Sequence, residues 1–273
     1  LPPTELLNAL LKAPVDLLWN GGIGTYVKSS QESHADVGDK ANDALRVNGC
    51  ELRAKVVGEG GNLGMTQLGR VEYNLNGGAG NTDFIDNAGG VDCSDHEVNI
   101  KILLNEIVAS GDMTGKQRNK LLAEMTDAVG SLVLGNNYKQ TQALSLAQRR
   151  ARERIAEYKR LMAALEADGK LDRALEFLPS DEQLAERIAN GQALTRAELA
   201  VLISYSKIDL KESLLKSQVP DDEYLARDMR TAFPPLLSEK FAEAMGRHRL
   251  KREIVSTQIA NDLVNHMGIT FVQ

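Results

Sequence analysis

The sequence predicts an α/β region, with a partial parallel sheet of about three strands, followed by an all-α region. Two observations divide the chain near residue 110. Residues 1–110 hold 15 of the 23 glycines and carry a net charge of −7, whereas residues 111–273 carry a net charge of +1. In the first region short apolar runs alternate with glycine turns and helical stretches, which is typical of parallel strands joined by helices. The second region shows helical periodicity throughout.

Apolar periodicity, capping residues and turn residues define the elements predicted in the first region. One helix is predicted over 4–12, where leucines recur on one face and Pro14 follows. A second helix is predicted over 35–47, before Asn48-Gly49, and a helical run over 98–108. Short apolar runs closed by glycine predict three buried strands, over 15–19, 52–57 and 82–85.

Helices of the second region are predicted from repeated capping boxes, in which Ser or Thr is followed three residues later by Gln or Glu. One long helix is expected over 137–167, and another long helix or a kinked pair over 238–267. The capping boxes are Thr114 with Gln117, Ser180 with Gln183, and Thr195 with Glu198.

Composition excludes several classes of protein. No apolar run approaches the roughly 20 residues of a membrane span, and no signal peptide is visible. The two cysteines, Cys50 and Cys93, cannot form a disulfide framework and fit no zinc motif, so we expect a cytoplasmic protein without a metal site. The chain does not open with Met, which leads us to expect part of a longer polypeptide.

Basic residues cluster in the second region, at 149–160 and 247–252. Nucleic-acid binding uses such basic stripes. Acidic residues lie between the basic ones, however, and aromatic residues make up only 4% of the chain. We therefore interpret these clusters as solvated helix faces and expect no nucleic-acid partner.

Glycine and asparagine follow each predicted strand, in 20–24 (NGGIG), 58–64 (GEGGNLG) and 87–90 (NAGG). The carboxyl ends of parallel strands line one edge, where ligands bind, and an asparagine amide suits a carboxamide such as nicotinamide. Segment 58–64 departs from the G-x-G-x-x-G phosphate loop because Leu63 stands at the third glycine position. Asp83 and Asp86 nevertheless lie at about the distance of the ribose-binding acid of that motif. Simple glycine turns are the alternative interpretation.

Ser94 stands ahead of the helical run predicted over 98–108, three residues before Glu97. This spacing is typical of an N-terminal capping box, and the free N–H groups of such a helix start also suit a substrate carboxylate. Both interpretations stay open from the sequence. His96 has acidic neighbours, but adjacent residues on a helix point in different directions, so we expect no metal site there.

Several long stretches together resemble the NAD-specific glutamate dehydrogenases of the long-chain bacterial class. The resemblance covers essentially the whole chain, and these stretches are too long and unusual for chance similarity. They are APVDLLWNGGIGTYVK (13–28), AKVVGEGGNLGMTQLGRVEY (54–73), NTDFIDNAGGVDCSDHEVNIKILLN (81–105), QALSLAQ (142–148), LDRALEFLPSDEQLAERIANGQALTRAELAVL (171–202) and REIVSTQIANDLVNHMGITFV (252–272).

The resemblance implies that 1–110 is the C-terminal part of a Rossmann-like NAD-binding domain and that 111–273 is an α-helical domain. It also implies that the phosphate loop and the catalytic lysine lie upstream, so we assign no catalytic residue in this chain. Segment 58–64 is then a later strand end beside the nicotinamide rather than the phosphate loop.

The resemblance further implies site residues at positions that match the family's motifs. For substrate these are Asn87, which would face both glutamate and nicotinamide, and Ser94, which would bind the distal carboxylate of glutamate. Asp95 and His96 follow Ser94 here, where the short-chain enzymes have an aromatic residue. Gly61 stands where glutamate dehydrogenases in general have alanine. The cofactor-binding residues implied are Asn20, Gly21, Gly22, Glu59, Gly60, Gly61, Asn62 and Asn87.

By this resemblance the parent protein oxidises L-glutamate with NAD to 2-oxoglutarate and ammonium, and we expect the isolated chain to be inactive. We also expect a homo-oligomer, because so small a sheet leaves unpaired backbone groups at its edges. Two alternatives stay open. One is a non-catalytic helical interaction or assembly module, and the other is a different NAD-dependent amino-acid dehydrogenase.

Overall fold

The residues in the apolar runs form a few short strands, and the residues with helical periodicity form many helices. The structure is a computed structural model, and it describes residues 2–272. Up to residue 86 the elements are α1 (Pro3–Leu11), β1 (Leu17–Asn20), β2 (Val27–Lys28), α2 (His34–Val37), β3 (Val47–Asn48), β4 (Val56–Glu59), α3 (Gln67–Leu75), β5 (Ala79–Gly80) and α4 (Asp83–Asp86).

The helices that follow are α5 (Ala88–Ala109), α6 (Gly115–Glu124), α7 (Thr126–Arg150), α8 (Ile155–Ala167), α9 (Asp181–Ala189), α10 (Arg196–Leu215), α11 (Pro235–Lys240), α12 (Ala242–Gly246) and α13 (Lys251–Met267). Short 3₁₀ segments lie at Lys40–Asn42, Gly49–Glu51, Val219–Asp221 and Leu225–Ala232. Within 2–272, no helix has both the length and the apolar character that crossing a membrane requires.

The described residues divide into two compact units, each discontinuous in sequence. Residues 2–88 and 141–205 form the first unit, and residues 89–140 and 206–272 form the second. Leu1 and Gln273, which bound the predicted domains 1–110 and 111–273, lie outside the described residues. Those two domains stay a prediction, because the compactness of segments does not by itself define the domains of a longer protein.

A parallel sheet of strand order β1-β4-β5 lies in the first unit. β1 pairs with β4 in register from Leu17 opposite Val56 to Asn20 opposite Glu59, and β4 pairs with β5. A second parallel pair, β2 with β3, lies beside it. One face of these strands builds a core whose buried members are Val27, Val47, Leu52, Ala54, Val57, Met65 and Tyr73. The strands are short, so their carboxyl ends lie close to this core.

Helices α8 and α9 belong to the same unit, with the adjoining parts of α7 and α10. Their interior is mostly apolar, with Leu144, Tyr158, Leu161, Met162, Leu184 and Leu199 fully buried or nearly so. At the start of α10, the Ala197 N–H donates to Asn74 Oδ1 on α3 at 3.1 Å. The helical segment is thereby bonded to the sheet segment within one unit.

The second unit has an apolar core formed by α5, α6, α13 and the segments between α10 and α13. Its fully or largely buried members include Ile100, Leu103, Leu104, Phe233, Leu237 and Val255. Two histidines are buried at the margin of this core. His96 Nδ1 lies 2.9 Å from the Ala232 carbonyl oxygen, and His248 Nε2 lies 3.1 Å from the Asn99 carbonyl oxygen.

The predicted fold class is confirmed, since a three-stranded parallel sheet is accompanied by a helical part. α1 agrees with the helix predicted over 4–12 to within one residue, and β1 and β4 overlap the strands predicted over 15–19 and 52–57. The three predicted capping boxes are formed. In each, the hydroxyl of Thr114, Ser180 or Thr195 accepts from the backbone N–H three residues later.

The prediction of a third strand over 82–85 is wrong. The third strand of the sheet is β5, which lies earlier, at Ala79–Gly80, and 83–86 forms a single helical turn, α4. The Asp83 carboxylate accepts from the N–H groups of Phe84 and Leu63, both at 2.8 Å, which gives the backbone an alternative to strand pairing. The actual strand lies beside Tyr73, whose ring would be only 2.1 Å from a Cβ at Gly78.

The prediction of a helix over 35–47 is also wrong. α2 makes one turn and ends at Gly38, which has a φ of +74°. Glycine favours this left-handed conformation, which stops the helix. The Asp39 carboxylate then accepts from Thr25 N–H at 2.8 Å and from the Asn42 amide at 2.6 Å. These bonds hold a short 3₁₀ turn at Lys40–Asn42 that leads to β3, so α2 does not continue.

The two long helices of the second region are interrupted. In place of one helix over 137–167, α7 ends at Arg150 and α8 begins at Ile155, with a buried Ala151 whose N–H bonds three residues back to Gln148. In place of a long helix or kinked pair over 238–267 there are three helices, α11 to α13. The His248 ring accepts from Leu250 N–H at 3.1 Å, which separates α12 from α13.

Lys207 on α10 provides a pH test of the packing of the second unit. Its ammonium donates to Gln140 Oε1 at 2.8 Å, and burial lowers the pKa of Lys207 to about 8 from 10.5. Below pH 8 the lysine is charged in both the folded and the unfolded state, and burying the charge lowers the free energy of unfolding. As the pH rises from 8 to 10.5 the folded state loses the proton first, so this loss of stability is relieved. We expect the unfolding free energy of wild type, relative to Lys207→Met, to rise by about 3 kcal/mol over that range.

Urea unfolding at several pH values measures this difference. Lys139→Met, on an exposed part of α7, controls for the loss of a lysine. An equal pH dependence for both variants would contradict the burial of Lys207.

Candidate functional site

Two glycine loops meet at the carboxyl edge of the sheet. We call residues 20–24 the first edge loop and residues 58–64 the second edge loop. The Asn20 carbonyl oxygen accepts from Gly61 N–H at 3.0 Å, and Asn20 Oδ1 accepts from Gly22 N–H at 3.2 Å. Gly21, Gly22 and Gly60 are exposed. Bare backbone from both strand ends is therefore open at this edge.

Glycine allows the edge loops to approach each other. A Cβ at Gly61 would lie 2.4 Å from the Gly22 carbonyl oxygen, so an alanine at this position would require the backbone to move. The Trp19 ring covers Gly58 and Gly60, where a Cβ would lie 2.7 and 2.5 Å from ring atoms. The glycines of this motif are thus explained by close packing.

A buried ion pair lies directly beneath the edge loops. Glu59, the last residue of β4, is 1% exposed. Its carboxylate accepts from Arg70 Nε at 2.7 Å and from Arg70 Nη2 at 2.9 Å, and also from Met65 N–H at 3.1 Å. Burial raises the pKa of Glu59, and the Arg70 guanidinium opposes that rise. The carboxylate joins α3 to both ends of the second edge loop.

Asp83 and Asp86 hold the backbone of the same loop from α4. Asp83 Oδ2 accepts from Leu63 N–H and lies 3.3 Å from Arg70 Nη2. Asp86 Oδ2 accepts from Glu59 N–H at 2.9 Å, and Asp86 Oδ1 accepts from the Asn81 amide at 2.6 Å. Burial raises the pKa of Asp86, and the bond from Asn81 opposes that rise. Both acids therefore hold the backbone of the second edge loop, and the ribose-binding role that their spacing suggested stays a prediction.

Two asparagine side chains lie together at the edge. Asn62, in the second edge loop, accepts a hydrogen bond from the side-chain amide of Asn87, which follows α4. The Asn87 N–H is fixed by the Asp83 carbonyl oxygen at 2.8 Å. Each amide has both donor and acceptor groups, so the pair can exchange its mutual bond for bonds to a carboxamide ligand.

An apolar cavity of about 280 Å³ lies beside the edge loops in the first unit. Asn20 supplies an amide to its lining, and Gly21, Gly22 and Gly64 supply backbone. The apolar lining comprises Leu7, Leu11, Leu18, Trp19, Tyr26, Val27, Leu45, Val57 and Met65. A mainly apolar cavity with few polar groups is typical of small-molecule sites.

The structure brings most of the predicted cofactor-binding residues to this edge. These are Asn20, Gly21, Gly22, Gly60, Gly61, Asn62 and Asn87, with Glu59 buried below them. The Glu59 carboxylate is occupied by Arg70 and Met65, so this side chain shapes the loop while its backbone reaches the edge. The role of all eight residues in binding a cofactor stays a prediction.

The prediction that 87–90 closes the third strand is wrong. This segment follows α4 and opens α5, which begins at Ala88. Asn87 nevertheless reaches the edge, because α4 turns the chain back toward the second edge loop and Asn87 contacts Asn62.

Ser94 is not a helix cap. It lies on the second turn of α5 and is exposed, since α5 begins ten residues earlier than the predicted run over 98–108. The predicted capping box with Glu97 is therefore wrong, because Ser94 stands inside a helix and does not precede one. The alternative role of Ser94, binding a substrate carboxylate, stays a prediction. Among residues 2–272 no group of three or more His, Cys, Asp or Glu side chains could hold a metal ion.

Arg70 is the site residue that sequence reasoning missed, together with the hydrogen bonds by which Asp83 and Asp86 hold the loop. The signal for Arg70 was available, since it is a charged residue among the apolar positions of α3, four residues after Thr66. A buried arginine requires an acidic partner. Glu59 was available as that partner, eleven residues earlier.

Residues 1–147 match the family described as "Bacterial NAD-glutamate dehydrogenase, catalytic domain", which is more than half of the chain. The chain belongs to this family. Residues 191–273 match the family described as "Glutamate dehydrogenase, C-terminal". The resemblance read from the sequence is thereby confirmed.

Named relatives agree with the family. The chain is 86% identical over 273 residues to the NAD-specific glutamate dehydrogenase of Pseudomonas aeruginosa, and 60% identical to that of Halomonas elongata. It is 48% identical over 269 residues to the NAD-specific glutamate dehydrogenase of Mycobacterium tuberculosis. The matches cover 98 to 100% of this chain but only 17% of each relative.

The close approach of the edge loops is tested by Gly61→Ala. We expect a loss of about 1–3 kcal/mol in unfolding free energy, because the new methyl group meets the Gly22 carbonyl, a backbone atom that cannot rotate away. Gly22→Ala is the matched control, since a Cβ there meets nothing within 4 Å. Equal unfolding midpoints in urea for the two variants would contradict the packing described.

The buried ion pair is tested by Arg70→Met. This variant leaves the Glu59 carboxylate buried without its counter-charge, and we expect a loss of about 3–5 kcal/mol at pH 7. The loss should shrink as the pH falls, because removing Arg70 raises the folded-state pKa of Glu59 further and protonation removes the unpaired charge. Lys55→Met is the control and breaks the exposed pair with Asp16, which contributes at most about 1 kcal/mol. A similar small loss for both variants in urea unfolding would refute this account.

Proposed function

We propose that this chain is the segment of a NAD-dependent glutamate dehydrogenase that carries the nicotinamide edge of the active site. The observation that supports this most is the meeting of two glycine loops at the carboxyl edge of a parallel sheet, beside the Asn62–Asn87 amide pair. Ligands of open parallel sheets bind at that edge. Membership of the family and the names of the relatives agree with the proposal.

The residues at the edge fit the nicotinamide end of NAD. Gly21, Gly22 and Gly60 are exposed and carry no side chain, so a flat ring can lie against the backbone. Asn20, Asn62 and Asn87 offer amide donors and acceptors that match a carboxamide. Glu59 and Gly61 would contribute through their backbone. Arg70 holds the Glu59 carboxylate from below, and the Gly61 N–H donates to the Asn20 carbonyl oxygen. No dedicated phosphate site is proposed in this chain.

The proposed reaction converts L-glutamate, NAD⁺ and water to 2-oxoglutarate, ammonium, NADH and a proton. NAD, when bound, supplies the acceptor for the hydride that leaves the α-carbon. The chain's own residues would bind and orient. Asn87 would face both the substrate and the nicotinamide, and the exposed Ser94 hydroxyl would donate to the distal carboxylate of glutamate. General acid–base catalysis requires a group outside these 273 residues.

The remaining features of the whole protein belong to the same proposal. Residues 1–110 would be the C-terminal part of its Rossmann-like NAD-binding domain and 111–273 its α-helical domain. A homo-oligomer is supported by the short sheet, whose outer strands leave backbone groups unpaired within the described chain. A cytoplasmic location is supported by two cysteines that are both free.

The proposal predicts that residues 1–273 alone form no NADH from glutamate, whereas the full-length protein does. In the full-length protein, Ser94→Ala should raise the KM for glutamate about tenfold by removing one hydrogen bond to a charged carboxylate. The KM for norvaline, which lacks that carboxylate, should not change.

Steady-state rates of NADH formation measure the activity of the isolated chain and the KM values for glutamate and norvaline. Ser131→Ala, an exposed serine on α7, is the matched control. Turnover by the isolated chain at the rate of the full-length protein would refute the proposal. An equal change in KM for glutamate and norvaline in Ser94→Ala would show that Ser94 does not bind the distal carboxylate.

A further inference from the structure

Arg196, at the start of α10, connects the helical segment to the edge of the sheet within the first unit. Its guanidinium Nη2 donates to the Thr141 carbonyl oxygen at 3.1 Å, and Nη1 donates to Ser145 Oγ at 3.0 Å, both on α7. On its other side, Nε donates to Asn81 Oδ1, which precedes α4. One half-buried side chain thus bridges α7 and the turn that leads to Asn87.

Hydrogen bonds continue from Arg196 to the strand end. Asn81 accepts from Arg196 with its oxygen, and its amide group donates to Asp86 Oδ1 at 2.6 Å. Asp86 Oδ2 in turn accepts from Glu59 N–H at 2.9 Å. Asp86 is also the residue directly before Asn87. The chain Arg196–Asn81–Asp86, the α10 link, therefore ends at both the second edge loop and the amide pair.

The backbone around Arg196 is fixed to the same region. The Ala197 N–H donates to Asn74 Oδ1 at 3.1 Å, and the Asn74 amide donates to the carbonyl oxygens of Gly78 and Gly80, both at 3.3 Å. The Gln67 amide donates to the Ala197 carbonyl oxygen at 3.4 Å. The start of α10 is thus bonded to both ends of α3, and Asn74 extends the connection to β5, which leaves the Arg196 backbone little freedom to shift.

We propose that Arg196 is a positioning residue of the dehydrogenase: through the α10 link it holds the Glu59 backbone and the Asn87 amide in the arrangement that receives the nicotinamide. This inference rests on the proposed function. It gives the helical segment 141–205 a role in the reaction, as the support of the cofactor edge.

Asp86 gives the link a signature in the pH dependence of activity. The charged groups that act on it are Arg196 and Arg70, which favour its carboxylate, and Glu59, whose own carboxylate disfavours it. Without Arg196 the pKa of Asp86 rises further, so Asp86 loses its acceptor role toward Glu59 N–H at a higher pH. The acid limb of the kcat/KM profile for NAD should then move to higher pH.

The test uses the full-length protein with Arg196→Gln, Arg196→Lys and the control Arg173→Gln. Arg173 belongs to the same unit and pairs with Glu166 at 2.9 Å and Asp181 at 3.0 Å, away from the α10 link. We expect Arg196→Gln to lower kcat/KM for NAD at least about tenfold, by misplacing the edge, and to move the acid limb upward. Arg196→Lys keeps the charge and should restore the acid limb but only part of kcat/KM. Arg173→Gln should lower the melting temperature but leave kcat/KM for NAD and the position of the acid limb unchanged.

Amide hydrogen exchange on the same variants reports positioning without relying on turnover. Peptides covering 56–64 and 79–88 should exchange faster in Arg196→Gln than in Arg173→Gln. Equal exchange in the two variants, or equal kcat/KM and pH profiles in an active protein, would overturn the inference. A wild-type protein that forms no NADH from glutamate, yet shows the expected exchange difference, would instead overturn the proposed function and leave the positioning role of Arg196 standing.

Discussion

The buried ion pair of Glu59 and Arg70 is the interaction on which the carboxyl edge of the sheet depends. Taking two charges out of water is costly, and the cost is offset only where hydrogen bonds satisfy both groups. Here the carboxylate receives two bonds from Arg70 and one from Met65 N–H, and the Asp83 carboxylate lies 3.3 Å from Arg70 Nη2. Because these partners come from β4, α3, α4 and Met65, the residue after the second edge loop, satisfying one pair of charges fixes both ends of that loop against two helices.

The acids around this pair explain why the loop above it can be made largely of glycine. A loop with so few side chains has little packing of its own, and its shape must come from bonds to its backbone. Asp83 and Asp86 provide them, through Leu63 N–H and Glu59 N–H. Leu63 itself has a φ of +59°, an uncommon conformation for a residue with a side chain, and the hydrogen bond that its N–H donates to Asp83 helps to hold it. Polar groups below the loop thus leave its upper surface free for a flat ligand.

Local signals predicted the parts of the structure that depend on local interactions. The capping boxes of Thr114, Ser180 and Thr195 and the helix over 4–12 are set by neighbours three or four residues apart. The third strand was misplaced because the short run at 82–85 is equally compatible with a helical turn once Asp83 accepts hydrogen bonds from the N–H groups of Leu63 and Phe84. The helix over 35–47 failed for a similar reason, since Asp39 bonds Thr25. For the site, asparagine and glycine could be read from the sequence, whereas the partnership of Glu59 with Arg70, or of Asn81 with Arg196, depends on tertiary contacts that spacing does not reveal.

Hydrogen exchange of the full-length protein with and without NAD is the most direct test of the central claim, that the edge loops receive the nicotinamide. Saturating NAD should slow exchange in peptides covering 20–24 and 58–64, where exposed glycine backbone would become covered. A peptide from α13 in the second unit serves as the internal reference. Protection of both edge loops is the result that this account predicts. NAD binding that leaves the exchange of both loops unchanged would contradict it.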